Sequence, residues 1–314
     1  YSERTKYGMI SVIIHEVGHN YFPMIVNSDE RQWTWMDEGL NTFLQFLAEQ
    51  EWDREYPSRR GPAHRITDYM KGDKSRISPI MTNSESVWQL GSNAYAKTAT
   101  ALNILRETIM GRELFDHAFR TYAQRWMFKQ PMPEDFFRSL EDASAVDLDW
   151  FWRGWFYGTD HVDISLDDVQ WFKIDSRDPD VEKPIAKANR NEENPGISAI
   201  RNAEDIRETV VERDPIMKDF YNEYDPFDIS ILDKEEYERY IAVLDDGDTE
   251  LLEKGYNYYE LTVSNVGGLV MPLIFEFEYE DGTKELHRIP AEIWRLRDDS
   301  VTKVFATEKE IKTI

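Results

Sequence analysis

Apolar residues recur at three- and four-residue spacing through the first half of the chain and give way to alternation in the second. Ile10, Val12, Ile13, Ile14 and Val17 predict a largely buried helix over residues 9 to 22. Asn20 to Gln32 reads as a turn-bearing return of the chain. Leu40, Phe43, Leu44 and Leu47 then share one face of a helix running from Glu38 to about Trp52. Pro57, Gly61, Pro62 and Gly72 break regularity before a region ending near Pro79. Ala99, Leu102, Leu105 and Ile109 define the inner face of a helix over Ala94 to Met110, with Gly111 as its stop. The aromatic run Asp149 to Tyr157 reads as helix-packing core rather than a pocket wall.

From His161 the texture changes. Val162, Ile164, Leu166 and Val169 nearly alternate before Trp171 and Phe172, which predicts a strand. Residues 256 to 279 are strand-rich, and Glu280-Asp281-Gly282-Thr283 is a hairpin turn signal leading into a return strand, Lys284 to Ile289. Val301 to Ala306 and Glu310 to Ile314 add two more strands. Between the first of these strands and the others lies a polar stretch, about 178 to 254, with a break at Asn194-Pro195-Gly196. Ile200 to Arg213 and Lys234 to Leu244 within it predict charged outer helices. Asp245-Asp246-Gly247-Asp248 lacks the ligand spacing of a calcium loop and reads as an acidic turn. The fold class is therefore α+β: a mostly helical domain over 1–160, then a β-sandwich-like module over 161–314 with a charged helical insertion.

Composition narrows the function. The 314 residues carry 61 acidic against 37 basic side chains, a net charge of −24 that repels polyanions and argues against nucleic acid and anionic lipid surfaces. With no cysteine there is neither a disulfide framework nor a thiolate metal site. No stretch of 18 apolar residues is present in this chain. The start at Tyr1, close to the first helix, points to the C-terminal part of a larger protein. Compartment is left open, with a lean towards the periplasm or another exported setting, and oligomeric state is not legible.

The chemistry concentrates in His15-Glu16-Val17-Gly18-His19 and, after eighteen intervening residues, in Glu38. On a helix His15 and His19 stand on one face, close enough to share a metal ion, and Glu16 sits beside it. Zinc favours imidazole and carboxylate ligands, and two His with one Glu leave a fourth position for water. Buried imidazoles and carboxylates need partners, which metal ligation supplies. His64, His117, His161 and His287 lie singly and read as surface or packing residues.

HExxH, eighteen residues, then Glu38 inside Trp35-Met36-Asp37-Glu38-Gly39 resembles the M1 family of zinc aminopeptidases, the gluzincins related to aminopeptidase N and leukotriene A4 hydrolase. Asn93-Ala94-Tyr95-Ala96-Lys97 with Leu102 and Leu105 is similar to the family's Y-x-K segment, and the likeness extends over about residues 8 to 158. The resemblance implies a gluzincin catalytic domain in which His15, His19 and Glu38 bind one zinc ion, Glu16 is the general base and Tyr95 stabilises the oxyanion. A peptide is the implied substrate. Two positions depart from the family pattern: Asp37 replaces the usual Asn, and Gly18 replaces a bulky residue, which predicts a close approach by another group. The family's G-x-M-E-N segment, which binds the substrate amine, does not occur in this sequence. The leading expectation is peptide hydrolysis with release of N-terminal residues. The alternatives are an endopeptidase, an epoxide-type hydrolase, a noncatalytic zinc-binding scaffold, or a partner- or glycan-binding role for residues 161–314.

Overall fold

The computed structural model describes residues 2–192 and 195–314, so Asn194 of the expected break lies outside the described residues. Helix α1, Glu3–Gly18, opens on Ser2, whose side chain accepts from the Thr5 backbone N–H and so satisfies one of the unpaired donors at a helix start. It ends four residues earlier than the spacing predicts, with His19 as its cap. It is also far from buried: Met9, Val12, Ile13 and Val17 are each more than half exposed, between 53% and 63%. The expectation of a buried helix fails because α1 packs along one side only, against α2, Leu40–Trp52. That side carries Ser11, Ile14, His15 and Gly18, while most of the helix's apolar residues are exposed.

Helix α2 follows a wider π-helical turn, Trp35–Gly39. Leu40 and Phe43 are fully buried, as their spacing requires. The next long helical stretch runs from Gly91 to Ile109, with π-helical ends around a regular middle, Thr98–Ile104. Gly111 follows it with φ +82°, a backbone conformation that favours glycine, and the chain turns into the helix Arg112–Trp126. Pro133–Ser144 packs back on Arg112–Trp126. Phe151, Trp152, Trp155 and Phe156 are all at most 3% exposed, so these four aromatics of the run are core, while Tyr157 at its end is 49% exposed. It joins Trp35, Phe136 and Phe137 in one aromatic cluster.

The strands fall where alternation places them: β1 Ile164–Lys173, β2 Asn257–Asn265, β3 Leu273–Tyr279, β4 Lys284–Ile289, β5 Ser300–Thr307 and β6 Ile311–Thr313. They form two three-stranded sheets, ordered β1-β2-β5 and β4-β3-β6. Strand β6 runs antiparallel to β3, with Glu278 opposite Thr313 and a bulge before Tyr279 opposite Ile311. Strands β2 and β3 bury alternate residues. Phe277 of β3 meets Phe305 of β5 edge to face at 5.0 Å, and the Tyr259 hydroxyl of β2 accepts from the Ile311 N–H, so side chains of the two sheets share an interior. Strand β1 differs, being largely exposed along its length.

The polar stretch is helical, but in shorter pieces than the pattern predicts: Ile197–Asp205 and Val210–Arg213 replace one helix, and Ile231–Ile241 the other. Asp245 caps the helix Asp246–Lys254 by accepting from the Asp248 N–H, which explains the acidic run without a cation. By internal contacts the chain divides into two units. One comprises Tyr1–Asp168, Thr262–Glu276 and Glu285–Thr302; the other comprises Val169–Leu261, Phe277–Lys284 and Lys303–Ile314. Among the described residues no helix is long and apolar enough to cross a membrane.

Candidate metal centre

Two elements of the first unit bring the predicted ligands together. Helix α1 presents His15 and His19 one turn apart, with ring centroids 4.7 Å apart. The π-helical turn that holds Glu38 is fixed from below by Trp35, whose ring lies 5.0 to 5.8 Å from those of Phe136, Phe137 and Phe156. Gly39 allows this turn to approach the Tyr95 segment, since a Cβ there would lie 2.5 Å from the Ala94 carbonyl oxygen. Gly18 does the same for α1 and α2: a Cβ would fall 2.0 Å from Oδ1 of Asn41, whose Nδ2 donates to the His15 carbonyl at 2.8 Å. The close approach expected from Gly18 is therefore a buried asparagine.

His15 Nε2 lies 3.0 Å and His19 Nε2 3.3 Å from the same Glu38 oxygen, Oε2, and the two nitrogens are 3.2 Å apart. Ligands placed about 2 Å from a tetrahedral zinc are about 3.3 Å from one another, so the spacing suits that ion. The outer partners decide which ring nitrogens face inward. The buried Glu49 accepts from Ser11, Ser58 and Gln45 Nε2, which turns the Gln45 amide so that Oε1 faces His15 Nδ1 at 2.9 Å. His15 Nδ1 must then carry the proton. His19 Nδ1 lies 2.9 Å from the Phe22 carbonyl, which can only accept. With the proton on Nδ1, each neutral imidazole aims its Nε2 lone pair at a carboxylate oxygen, and three acceptors at this distance need a metal cation or a further proton between them.

The charges respond accordingly. A further proton on His15 Nε2 is held by the bond it makes to Glu38, which raises the pKa of the imidazole. Burial works to raise Glu38, but the bonds from His15 and Tyr95 outweigh it and hold the carboxyl below the usual range. Asp37, the departure from the family pattern, is buried at 8% exposure, and burial with the neighbouring Glu38 charge pushes its carboxyl well up. Its Oδ1 sits 3.0 Å from His19 Nδ1, so it lies behind the second imidazole rather than in solvent.

Glu16 is exposed at the mouth of the same cleft, a space of about 730 Å³ that is also lined by His15, His19, Glu38 and Tyr95. The Tyr95 ring stacks on His15 at 5.9 Å, and its hydroxyl hydrogen-bonds Glu38. Burial, then the Glu38 bond and charge, raises the Tyr95 phenol, so it stays protonated and able to donate. All five predicted site residues thus line one cleft.

Three polar residues of the cleft were not singled out by spacing. Gln45 and Glu49 continue the stripe begun by Glu38 at helical intervals, which was a usable signal. Arg60 had no such signal. It belongs to the Ser58–Gly61 loop, held to α2 by Ser58 on Glu49 and by Gly61, whose φ of +102° seats it against the Phe46 ring. The Arg60 guanidinium lies 4.5 Å over the Tyr95 ring.

A cleft of two imidazoles and a carboxylate with an adjacent free carboxylate is the layout of a metallopeptidase centre. Residues 1–155 match the peptidase family M1 domain, and this half of the chain belongs to that family. Glutamyl aminopeptidase of Sus scrofa is 25% identical over 166 residues, which cover 51% of this chain and 18% of that protein. Endoplasmic reticulum aminopeptidase 1 of Homo sapiens is 25% identical over 159 residues, 46% of this chain and 16% of the relative. The chain thus spans less than a fifth of these curated relatives. Among solved structures, an M1 zinc metallopeptidase mutant bound to a Tyr-Ser-Ala substrate, from Deinococcus radiodurans, aligns with TM-score 0.40 and 19% identity over 48% of this chain and 33% of that one. Legionella pneumophila aminopeptidase A in complex with aspartic acid aligns with TM-score 0.47 and 15% identity over 97% of this chain and 25% of that one.

Proposed function

We propose that this cleft hydrolyses peptide bonds with zinc held by His15, His19 and Glu38, and that it releases N-terminal residues as an M1-type aminopeptidase. The observation that carries the reading is the convergence of the three acceptor atoms at 3.0 to 3.3 Å, with Glu16 and Tyr95 on the same cleft. Zinc bound there supplies a Lewis acid for the scissile carbonyl and lowers the pKa of water towards about 7. Among the described residues Glu16 makes no hydrogen bond that competes with proton transfer: it accepts the proton of the attacking water and returns it to the leaving amine. Tyr95 turns its hydroxyl from Glu38 to the oxygen on which negative charge develops, a donor whose loss costs about 10²- to 10³-fold in rate. Gln45 and Phe22 hold the imidazoles in the tautomer that leaves both Nε2 atoms free.

The test is hydrolysis of one peptide series offered with free and with acetylated N-termini, with Glu16→Gln as the control. Cleavage confined to free-amine peptides and lost in Glu16→Gln supports the aminopeptidase reading. Equal cleavage of both forms makes the protein an endopeptidase, and turnover retained in Glu16→Gln rejects the mechanism.

A further inference from the structure

Arg60 has a property that the hydrolytic chemistry leaves unused. Its guanidinium is partly buried in the cleft wall beside Tyr95, and burial lowers its pKa. Among the described residues no carboxylate lies within 4.0 Å of it, and it makes no hydrogen bond. Its one close partner is the face of the Tyr95 ring, at 4.5 Å. Stacking occupies the flat side of a guanidinium and leaves its N–H donors, which all lie in the plane, unused. The charges of Glu38 and Glu49 reach it only at longer range, and a cation drawn part of the way out of water without an anion in direct contact is costly, while a planar fork of donors matches a carboxylate in bidentate fashion. The loop is rigidly placed, tied to α2 through Ser58 on Glu49 at 2.6 Å and through Gly61 on Phe46. A chain of net charge −24 otherwise repels anions, so a substrate carboxylate needs a local cation to enter this cleft.

We propose that Arg60 is a specificity residue that binds a carboxylate of the peptide substrate, next to the tyrosine that serves the scissile bond. The inference rests on the hydrolytic reading of the cleft and names its substrate class: peptides with an acidic side chain near the scissile bond, or short peptides with a free C-terminal carboxylate. The two sources present the same group to the guanidinium.

The experiment compares matched short peptides that differ only in one carboxylate against its carboxamide: Glu against Gln at the first position, Glu against Gln at the second, and free acid against amide at the C-terminus. For the wild-type protein, kcat/KM favours the acid in one of these pairs by about tenfold or more, the scale of one charge-assisted hydrogen bond, and the difference lies in KM. In Arg60→Gln that ratio falls to near one, and Arg60→Lys restores only part of it. The pair that responds identifies the source. No acid preference in the wild type, or a preference that persists in Arg60→Gln while both peptides slow together, overturns the proposal and makes Arg60 a support for Tyr95. The same pairs titrated calorimetrically into Glu16→Gln, with and without Arg60→Gln, read binding without turnover. An Arg60-dependent acid preference there, in a protein whose wild type cleaves nothing, would keep the anchor and reject the hydrolytic reading.

Discussion

An imidazole offers one lone pair, and its direction is set by what the other nitrogen holds. At His15 the decision passes through a glutamine to Glu49, a carboxylate only 2% exposed whose bonds all come from neutral donors. Gln45→Leu keeps the volume of the side chain but frees the ring to turn, so zinc affinity should fall by about 10- to 100-fold in a chelator competition. Unchanged affinity would show that α1 alone orients His15. His15, His19 and Glu38 are legible in the sequence because zinc demands those residue types at that spacing. Tyr95 is not: a lone tyrosine looks the same in a core or a cleft, and the family resemblance alone marks it. Arg60 is silent because its partner is a ring face reached across the fold. Lys97, two residues beyond Tyr95, is a different kind of buried group. It is 1% exposed, its ammonium donates to the Gly158 carbonyl at 2.9 Å, and burial pushes its pKa down to about 8 from 10.5. Between these values the unfolded chain keeps a proton that the folded chain has lost, so this group's cost to stability is full below pH 8 and is relieved as pH rises towards 10.5. Lys97→Met should remove up to about 3 kcal/mol of that pH-dependent slope in urea unfolding measured from pH 7 to 10. Identical slopes in the two proteins would contradict it.

At the scale of elements, the site depends on close approach. The Glu38 turn and the Tyr95 segment are both π-helical, a widened geometry that recurs at functional sites. They touch where Gly39 has no side chain. Gly39→Ala would drive a Cβ against the Ala94 carbonyl and the Thr98 side chain, at 2.5 and 2.6 Å, and backbone cannot yield as a flexible side chain does. The expected cost is about 1 to 3 kcal/mol of unfolding free energy, with weaker zinc binding because Glu38 and Tyr95 separate. A variant of unchanged stability and affinity would show that the turn moves freely. Strand positions were legible because alternation against a buried face leaves a period of two, as in β2. The burial of α1 was misread because apolar content says that a helix has a greasy side, not that something covers it. Met9, Val12, Ile13 and Val17 are apolar yet more than half exposed. The wider turns escaped the reading altogether, since a π-helical turn differs from an α-helical one by one residue and has no composition of its own.

Taken as a whole, the chain is an acidic α+β protein in which one unit contains His15, His19 and Glu38, the proposed ligands, together with Glu16 and Tyr95, the proposed proton acceptor and oxyanion donor. Electrostatics at this scale works against anions while the cleft wall carries Arg59 and Arg60, so local and global charge have opposite effects on an acidic substrate. An acid-preferring activity should consequently rise as salt is added from low ionic strength, because screening weakens the long-range repulsion more than the short contact at Arg60. A rate that only falls with salt would indicate that attraction by the cleft dominates at every distance. The central claim is that His15, His19 and Glu38 form one zinc site, and zinc stoichiometry and affinity across the wild type, Glu38→Ala and Glu16→Gln test it most directly. The account predicts one zinc per chain in the wild type, sharply weakened binding in Glu38→Ala and unchanged binding in Glu16→Gln, whereas unchanged stoichiometry and affinity in Glu38→Ala would remove Glu38 from the ligand set and contradict it.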